Sequence, residues 1–182
     1  MKANIVKGVI LPTTVLTVIC ILITFILAYT NSITKDKIAE QQVIKLAQSQ
    51  KVVLPDCETF EEIAENAYEG KDASGKTGGY VFVTSATGYG GSIEVMTGID
   101  SDGKISGINI LSHSETPGLG AKATDDSFKG QYSGLDATQS VAVTKDGGTI
   151  DAISGATITS RAVSNAVNEA IEMYKTVKEG VN

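Results

Sequence analysis

The sequence predicts an α+β chain: one N-terminal transmembrane helix followed by a mixed, mainly antiparallel sheet packed with helices. Three observations carry this. From Gly8 to Tyr29 the chain runs 22 residues without a charge. Between Tyr80 and Leu111, three runs rich in β-branched residues alternate apolar and polar positions, the pattern of half-buried strands. Near the C terminus, Ala162, Val163, Ala166, Val167, Ala170, Ile171 and Tyr174 recur at intervals of three and four, marking an amphipathic helix whose apolar face lies on the sheet.

The uncharged run is rich in Ile, Leu and Val. As a helix it reaches about 30 Å, the thickness of a bilayer core, so residues 1–30 read as a membrane anchor with its span at about 8–29. A cleaved signal peptide is the rival reading, but the run is long for a signal core and no small-x-small site follows it. Cys20 sits in mid-segment behind Val18 and Ile19, which makes a poor lipoprotein cleavage site. Lys2 and Lys7 favour a cytoplasmic N terminus, with Lys35 and Lys37 diluting the bias from the other side.

Residues 31–78 read as a stalk with short helices. Ile38, Val43, Leu46, Ala47 and Val53 fall on helical spacings, and Pro55 stops the helix. Thr59 followed three residues later by Glu62 has the form of a capping box and predicts a short helix through about Tyr68. The small and polar stretch Gly70 to Gly75 leads into residues 79–182, the globular domain.

Strands are expected over Tyr80–Ser85, Ser92–Ile99 and Lys104–Leu111, the last two joined by a hairpin turn at Asp100-Ser101-Asp102-Gly103. A calcium loop also begins Asp-x-Asp-Gly, but the remaining ligands and the downstream Glu are missing here. Val141–Thr144 and Thr149–Ile153 are expected as a further strand pair around Gly147-Gly148.

Composition narrows the function classes. All 21 acidic residues lie beyond residue 35, and the part after the membrane segment holds 13 Lys and Arg, so that part is net −8 and argues against nucleic acid as a partner. The two cysteines, Cys20 and Cys57, are too differently placed for a disulfide framework, and no Cys/His spacing suggests zinc or another metal. With no Trp and one His, the chain has few groups of its own for acid, base or metal chemistry. No catalytic residue is assigned, and a bound cofactor would fill the gap.

The stretch Asp151-Ala152-Ile153-Ser154-Gly155-Ala156-Thr157-Ile158-Thr159-Ser160 stands just before the C-terminal helix. Small residues there let backbone approach a ligand closely, and the N–H groups of a first helical turn favour an anion. On these grounds alone it is a phosphate seat, or simply a run of hydroxyl residues capping the helix.

Asp151, Ser154, Gly155, Ala156 and Thr157 match, in order, a known pattern: Asp, two variable residues, Ser or Thr, Gly, Ala, then Ser or Thr. The stretch thus resembles the flavinylation motif of the FMN-binding domain shared by the G subunit of the Rnf complex and the C subunit of the sodium-pumping NADH:quinone oxidoreductase. A second segment, His113-Ser114-Glu115-Thr116-Pro117-Gly118-Leu119-Gly120, resembles the loop that is the family's other hallmark. The short chain looks more like the G subunit of Rnf. A hydrolase built on His113 and Ser154 lacks a nucleophile elbow.

The resemblance implies FMN esterified through its phosphate to Thr157 by a separate magnesium-dependent flavin transferase that uses FAD. It implies flavin contacts from Glu115, Thr116, Gly118 and Leu119, with Asp151, Ser154, Gly155 and Ala156 forming the motif around the linkage. The chain would then be a single-pass cell-membrane subunit with an extracytoplasmic domain, carrying electrons among other integral membrane subunits and lipid. That assembly couples ferredoxin oxidation and NAD reduction to ion movement. The competing expectation is a membrane-anchored flavin-binding module with a sensory or structural role.

Overall fold

In a computed structural model, which describes residues 10–180, the chain divides into two compact units, one up to Lys45 and one from Leu46 onward. Helix α1 spans Leu11–Val53 and ends two residues before Pro55. Its stretch Leu11–Lys35 is long and apolar enough to cross a membrane, with its large apolar side chains exposed. Gly8, the expected start of the span, and Lys2 and Lys7, which bear on orientation, lie outside the described residues.

The second unit is built on a five-stranded sheet, wholly antiparallel, in the order β1 (Thr59–Ala64), β2 (Ala67–Lys71), β3 (Thr77–Thr87), β4 (Ser92–Asp100) and β5 (Ile105–Ser112). The three expected strands are present as β3, β4 and β5. The expected turn joins the last two, with the Asp100 carboxylate accepting from the N–H groups of Asp102 (3.0 Å) and Lys104 (2.9 Å).

The helix expected over Thr59–Tyr68 is instead the hairpin β1–β2. Asn66 takes φ +60 in the two-residue turn Glu65-Asn66, a conformation that Asn tolerates and that suits tight hairpins. Phe60, partly buried, packs against the cluster that holds Val53 and Cys57, and sheet pairing overrides the helix-forming letters of Glu61-Glu62-Ile63-Ala64, which stay exposed. Gly70 to Gly75 consequently closes β2 and turns into β3.

The sheet is covered on both faces. On one lies the amphipathic helix α3, Thr157–Gly180, introduced after a short helix α2 (Asp126–Lys129). All seven of the expected apolar positions of α3 are buried, in one core with Phe82, Ile93, Val95, Ile99, Ile105 and Ile108. Thr84 in β3 donates to the Ala166 carbonyl at 2.8 Å, tying sheet to helix. On the other face the last turns of α1 bring Val53 and Leu54 against Val81, Val83 and Met96. Gly98 makes this possible, because a Cβ there would collide with the Val53 carbonyl.

The strand pair expected over 141–153 is reduced to a single bridge between Val143 and Ile150, with a 3-10 turn at Thr144–Asp146 between them. The Val141 backbone is engaged by a side chain of α3: its N–H donates to Asn168 Oδ1 (2.7 Å), and Asn168 Nδ2 donates to its carbonyl (2.9 Å). With both groups held by the helix, the segment lies along α3 and extends no ladder.

Candidate functional site

The loop Ile153 to Ala156 reverses the chain into α3. The Ala156 N–H donates to the Ile153 carbonyl at 2.9 Å, and Gly155 stands at φ +77, where a side chain would be strained. Ser160 braces this turn from inside. Its buried hydroxyl accepts from the Ile153 N–H (2.9 Å) and donates to the Ala156 carbonyl (3.0 Å). Helix α3 starts at Thr157, so that residue stands in the first turn, where backbone N–H groups lack intrahelical acceptors and the helix dipole is positive.

The loop after β5 folds over the same place. Thr116-Pro117-Gly118-Leu119 forms a turn closed by the Leu119 N–H to the Thr116 carbonyl (3.2 Å), with Pro second and Gly118 third at φ +77, as a type II turn demands. His113 helps to shape it, its Nδ1 accepting from the Glu115 N–H at 3.2 Å. Glu115 is buried and its carboxylate is already engaged: Oε2 accepts from Thr159 Oγ1 (2.8 Å) and Oε1 from the Gly90 N–H (3.0 Å). Glycine is required alongside, since a Cβ on Gly120 would collide with that carboxylate.

Between these two loops and the β3–β4 turn lies a cavity of about 490 Å³, within the ~300–1,000 Å³ of small-molecule sites. The two hallmark segments therefore meet, though they are far apart in sequence. Glu115, Thr116, Leu119, Gly155, Ala156 and Thr157 line it. Gly118, Asp151 and Ser154 lie outside the lining. Asp151 is exposed and held through its backbone by Gln131, whose Oε1 accepts from the Asp151 N–H at 2.6 Å. Gly118 shapes the turn that presents Leu119.

Three hydroxyls cluster at the start of α3, and the fold separates them. Those of Thr159 and Ser160 are buried and bonded inside the domain. Thr157 is only partly buried, faces the cavity and accepts from Lys145 Nζ at 3.0 Å. Lys145, Tyr89 and Ile158 also line the cavity, and sequence reasoning missed all three. Tyr89, 75% exposed at the tip of Gly88-Tyr89-Gly90-Gly91, has a local signal in hindsight: a lone aromatic among turn glycines. Lys145 has none, being brought in by the tertiary fold.

The lining thus joins a cation and a helix N terminus at Thr157 to apolar surface from Leu119, Ile158 and Tyr89. This suits a ligand with an anionic group at one end and a flat, largely apolar ring system at the other.

Comparison with known proteins agrees with this chemistry. Residues 88–172 match the family described as FMN-binding domain, and residues 1–53 match the RnfG N-terminal region. The chain is 36% identical over 168 residues to the G subunit of the proton-translocating ferredoxin:NAD(+) oxidoreductase complex of Clostridium ljungdahlii, covering 91% of each chain. It is also 36% identical to the G subunit of the Na(+)-translocating ferredoxin:NAD(+) oxidoreductase complex of Acetobacterium woodii, covering 84% of this chain and 85% of that one. The crystal structure of Shewanella oneidensis NqrC has the same fold, with a TM-score of 0.50 at 21% identity over 68% of this chain and 67% of that one.

Proposed function

The chain belongs to the RnfG family, the G subunits of ion-translocating Rnf oxidoreductase complexes, and contains its FMN-binding domain; from that premise we propose that FMN is esterified through its phosphate to Thr157 and carries electrons within the complex. The observation that carries the linkage is the separation of the three hydroxyls. Thr157 and Thr159 both line the cavity, but the Thr159 hydroxyl is buried and given to Glu115 and the Ser160 hydroxyl to the Ala156 carbonyl, whereas Thr157 is half-buried beside Lys145. A flavin transferase supplies the catalytic groups for attachment, so the chain needs only to present the hydroxyl.

The residues present fit FMN. The first turn of α3 and Lys145 meet the phosphate, Gly155 and Ala156 leave room for it, and Leu119, Ile158 and Tyr89 give the ring apolar contact. When bound, FMN supplies a centre that takes up and releases single electrons. The protein fixes it, tunes it by polar groups such as Thr116, and prevents its loss. The Glu115 carboxylate is engaged by Thr159 and Gly90, so it positions the α3 turn behind the cavity that it also lines.

The domain is read as extracytoplasmic, on the strength of Lys2 and Lys7 ahead of the span. Protease added to right-side-out vesicles should digest it; protection would reverse the orientation. Covalent attachment matters on that side because no flavin pool replaces a lost cofactor.

Thr157→Ala in the full chain should abolish the flavin fluorescence that survives in a denaturing gel, with circular dichroism unchanged, and Thr157→Ser should retain part of it. A fluorescent, folded Thr157→Ala protein would refute the linkage.

A further inference from the structure

The lysine beside Thr157 is held there by the same helix that carries the threonine. Lys145 lies in the 3-10 turn Thr144–Asp146. The next residue, Asp146, takes a two-pronged contact from Arg161, with Nε to Oδ2 and Nη2 to Oδ1 both at 2.6 Å. Arg161 is four residues after Thr157, one turn along the same face of α3. Val143, just ahead of the turn, is buried in the core, and Asn168, further along the helix, clamps the Val141 backbone. Lys145 is thus flanked by anchors on both sides, and its ammonium reaches Thr157 Oγ1 at 3.0 Å while the residue itself remains exposed.

Such bracing is more than an exposed lysine needs for solubility. An unbraced surface lysine ranges over many rotamers and loses that freedom when it binds; here the turn that carries it is preset. Its position also matters electrostatically. A phosphodiester keeps one negative charge, while the chain beyond the membrane segment is net −8. The dipole of α3 offers about half a positive charge at its N terminus, and a cation close by supplies the remainder.

We propose that Lys145, positioned by the Arg161–Asp146 fork, is the counter-cation of the phosphate on Thr157 and sets how readily that hydroxyl is loaded. This rests on the reading that Thr157 carries FMN. In loading, Thr157 Oγ bonds to the flavin-side phosphorus of FAD as the pyrophosphate P–O bond breaks and AMP leaves; before that step the ammonium donates to an Oγ lone pair, which leaves the hydroxyl hydrogen free and favours its loss to a base of the transferring enzyme. After loading, the same three-donor head turns to the non-bridging phosphate oxygens.

The test uses the full chain in detergent, incubated with FAD, magnesium and the flavin transferase, and followed by intact mass. Lys145→Met should slow loading by about tenfold, the worth of one charge-assisted hydrogen bond, and Lys145→Arg should restore most of the rate. Asp146→Asn should lower it in the same direction by less, since the lysine is retained but its turn is released. In protein loaded to completion, the phosphorus resonance should shift in Lys145→Met relative to wild type and return towards it in Lys145→Arg. Melting temperatures of the two Lys145 variants should agree with that of wild type, since Lys145 is exposed.

Equal loading rates and an unshifted phosphorus resonance in Lys145→Met would overturn the role of Lys145 while leaving the Thr157 linkage intact. A wild-type chain that takes up no flavin on Thr157 would overturn the linkage instead.

Discussion

The cavity has two walls that differ in kind. Behind it, Glu115, Thr159 and Ser160 are buried and their polar atoms are bonded to one another or to nearby backbone. In front, Thr116, Leu119, Lys145 and Ile158 are exposed and Thr157 is half-buried. The difference separates polar residues already committed to the fold from those that the proposed ligand could meet, although all of them are written in the same small-residue, hydroxyl-rich style. Groups already bonded inside the domain can offer little to a cofactor without leaving a buried partner unsatisfied.

Glu115→Ala attacks the rear wall and should have the largest effect on stability. It leaves the buried Thr159 hydroxyl without its acceptor and opens space beside Gly120, which should cost about 2–3 kcal/mol in denaturant unfolding. Glu115→Gln keeps the shape and an acceptor for Gly90, and should cost under about 1 kcal/mol. Equal losses for the two variants would mean that charge, and not bonding geometry, is what the wall requires.

Ser160→Ala should cost about 1–2 kcal/mol, because the Ile153 N–H loses its acceptor, while flavin stays attached. Loss of the flavin from a folded Ser160→Ala protein would blur the division between the walls.

Tyr132 extends the comparison deeper behind the site. Fully buried and bonded to Ser164 Oγ at 2.9 Å, its phenol is pushed up to about 12 by burial, with the Ser164 bond acting the other way. The unfolded chain then loses this proton first, near pH 10, so stability should fall between about pH 10 and 12 and level off above. Tyr132→Phe should remove that part of the alkaline loss while costing about 1 kcal/mol at neutral pH. An identical alkaline profile in both proteins would show that the phenol does not carry it.

Thr116→Val, in the front wall, should leave stability within about 0.5 kcal/mol and flavin attached. Its expected signature is a shifted reduction potential, and an unchanged potential would remove Thr116 from the ring's surroundings.

The same contrast explains what could be read from the sequence. The long apolar helix, strands β3, β4 and β5 and the C-terminal helix were legible because each repeats its signal over many residues, and the proposed linkage at Thr157 rests on a motif that is local and contiguous. Thr59–Tyr68 misled: Thr and Glu at capping-box spacing and helix-forming letters between them outweighed Asn66, whose left-handed backbone makes the hairpin turn. Val141–Ile153 misled as well, since strand-like letters are consumed by Asn168, a side chain 27 residues away from Val141. Lys145 was invisible for a related reason. It reaches Thr157 from a turn whose Asp146 is paired with Arg161, a pairing that no spacing in the sequence announces.

Mass mapping of peptides from the purified full-length chain tests the central claim most directly. The account predicts one flavin phosphoester, on Thr157, with Thr159 and Ser160 unmodified. A flavin on either of those two residues, or on Thr116, would contradict it.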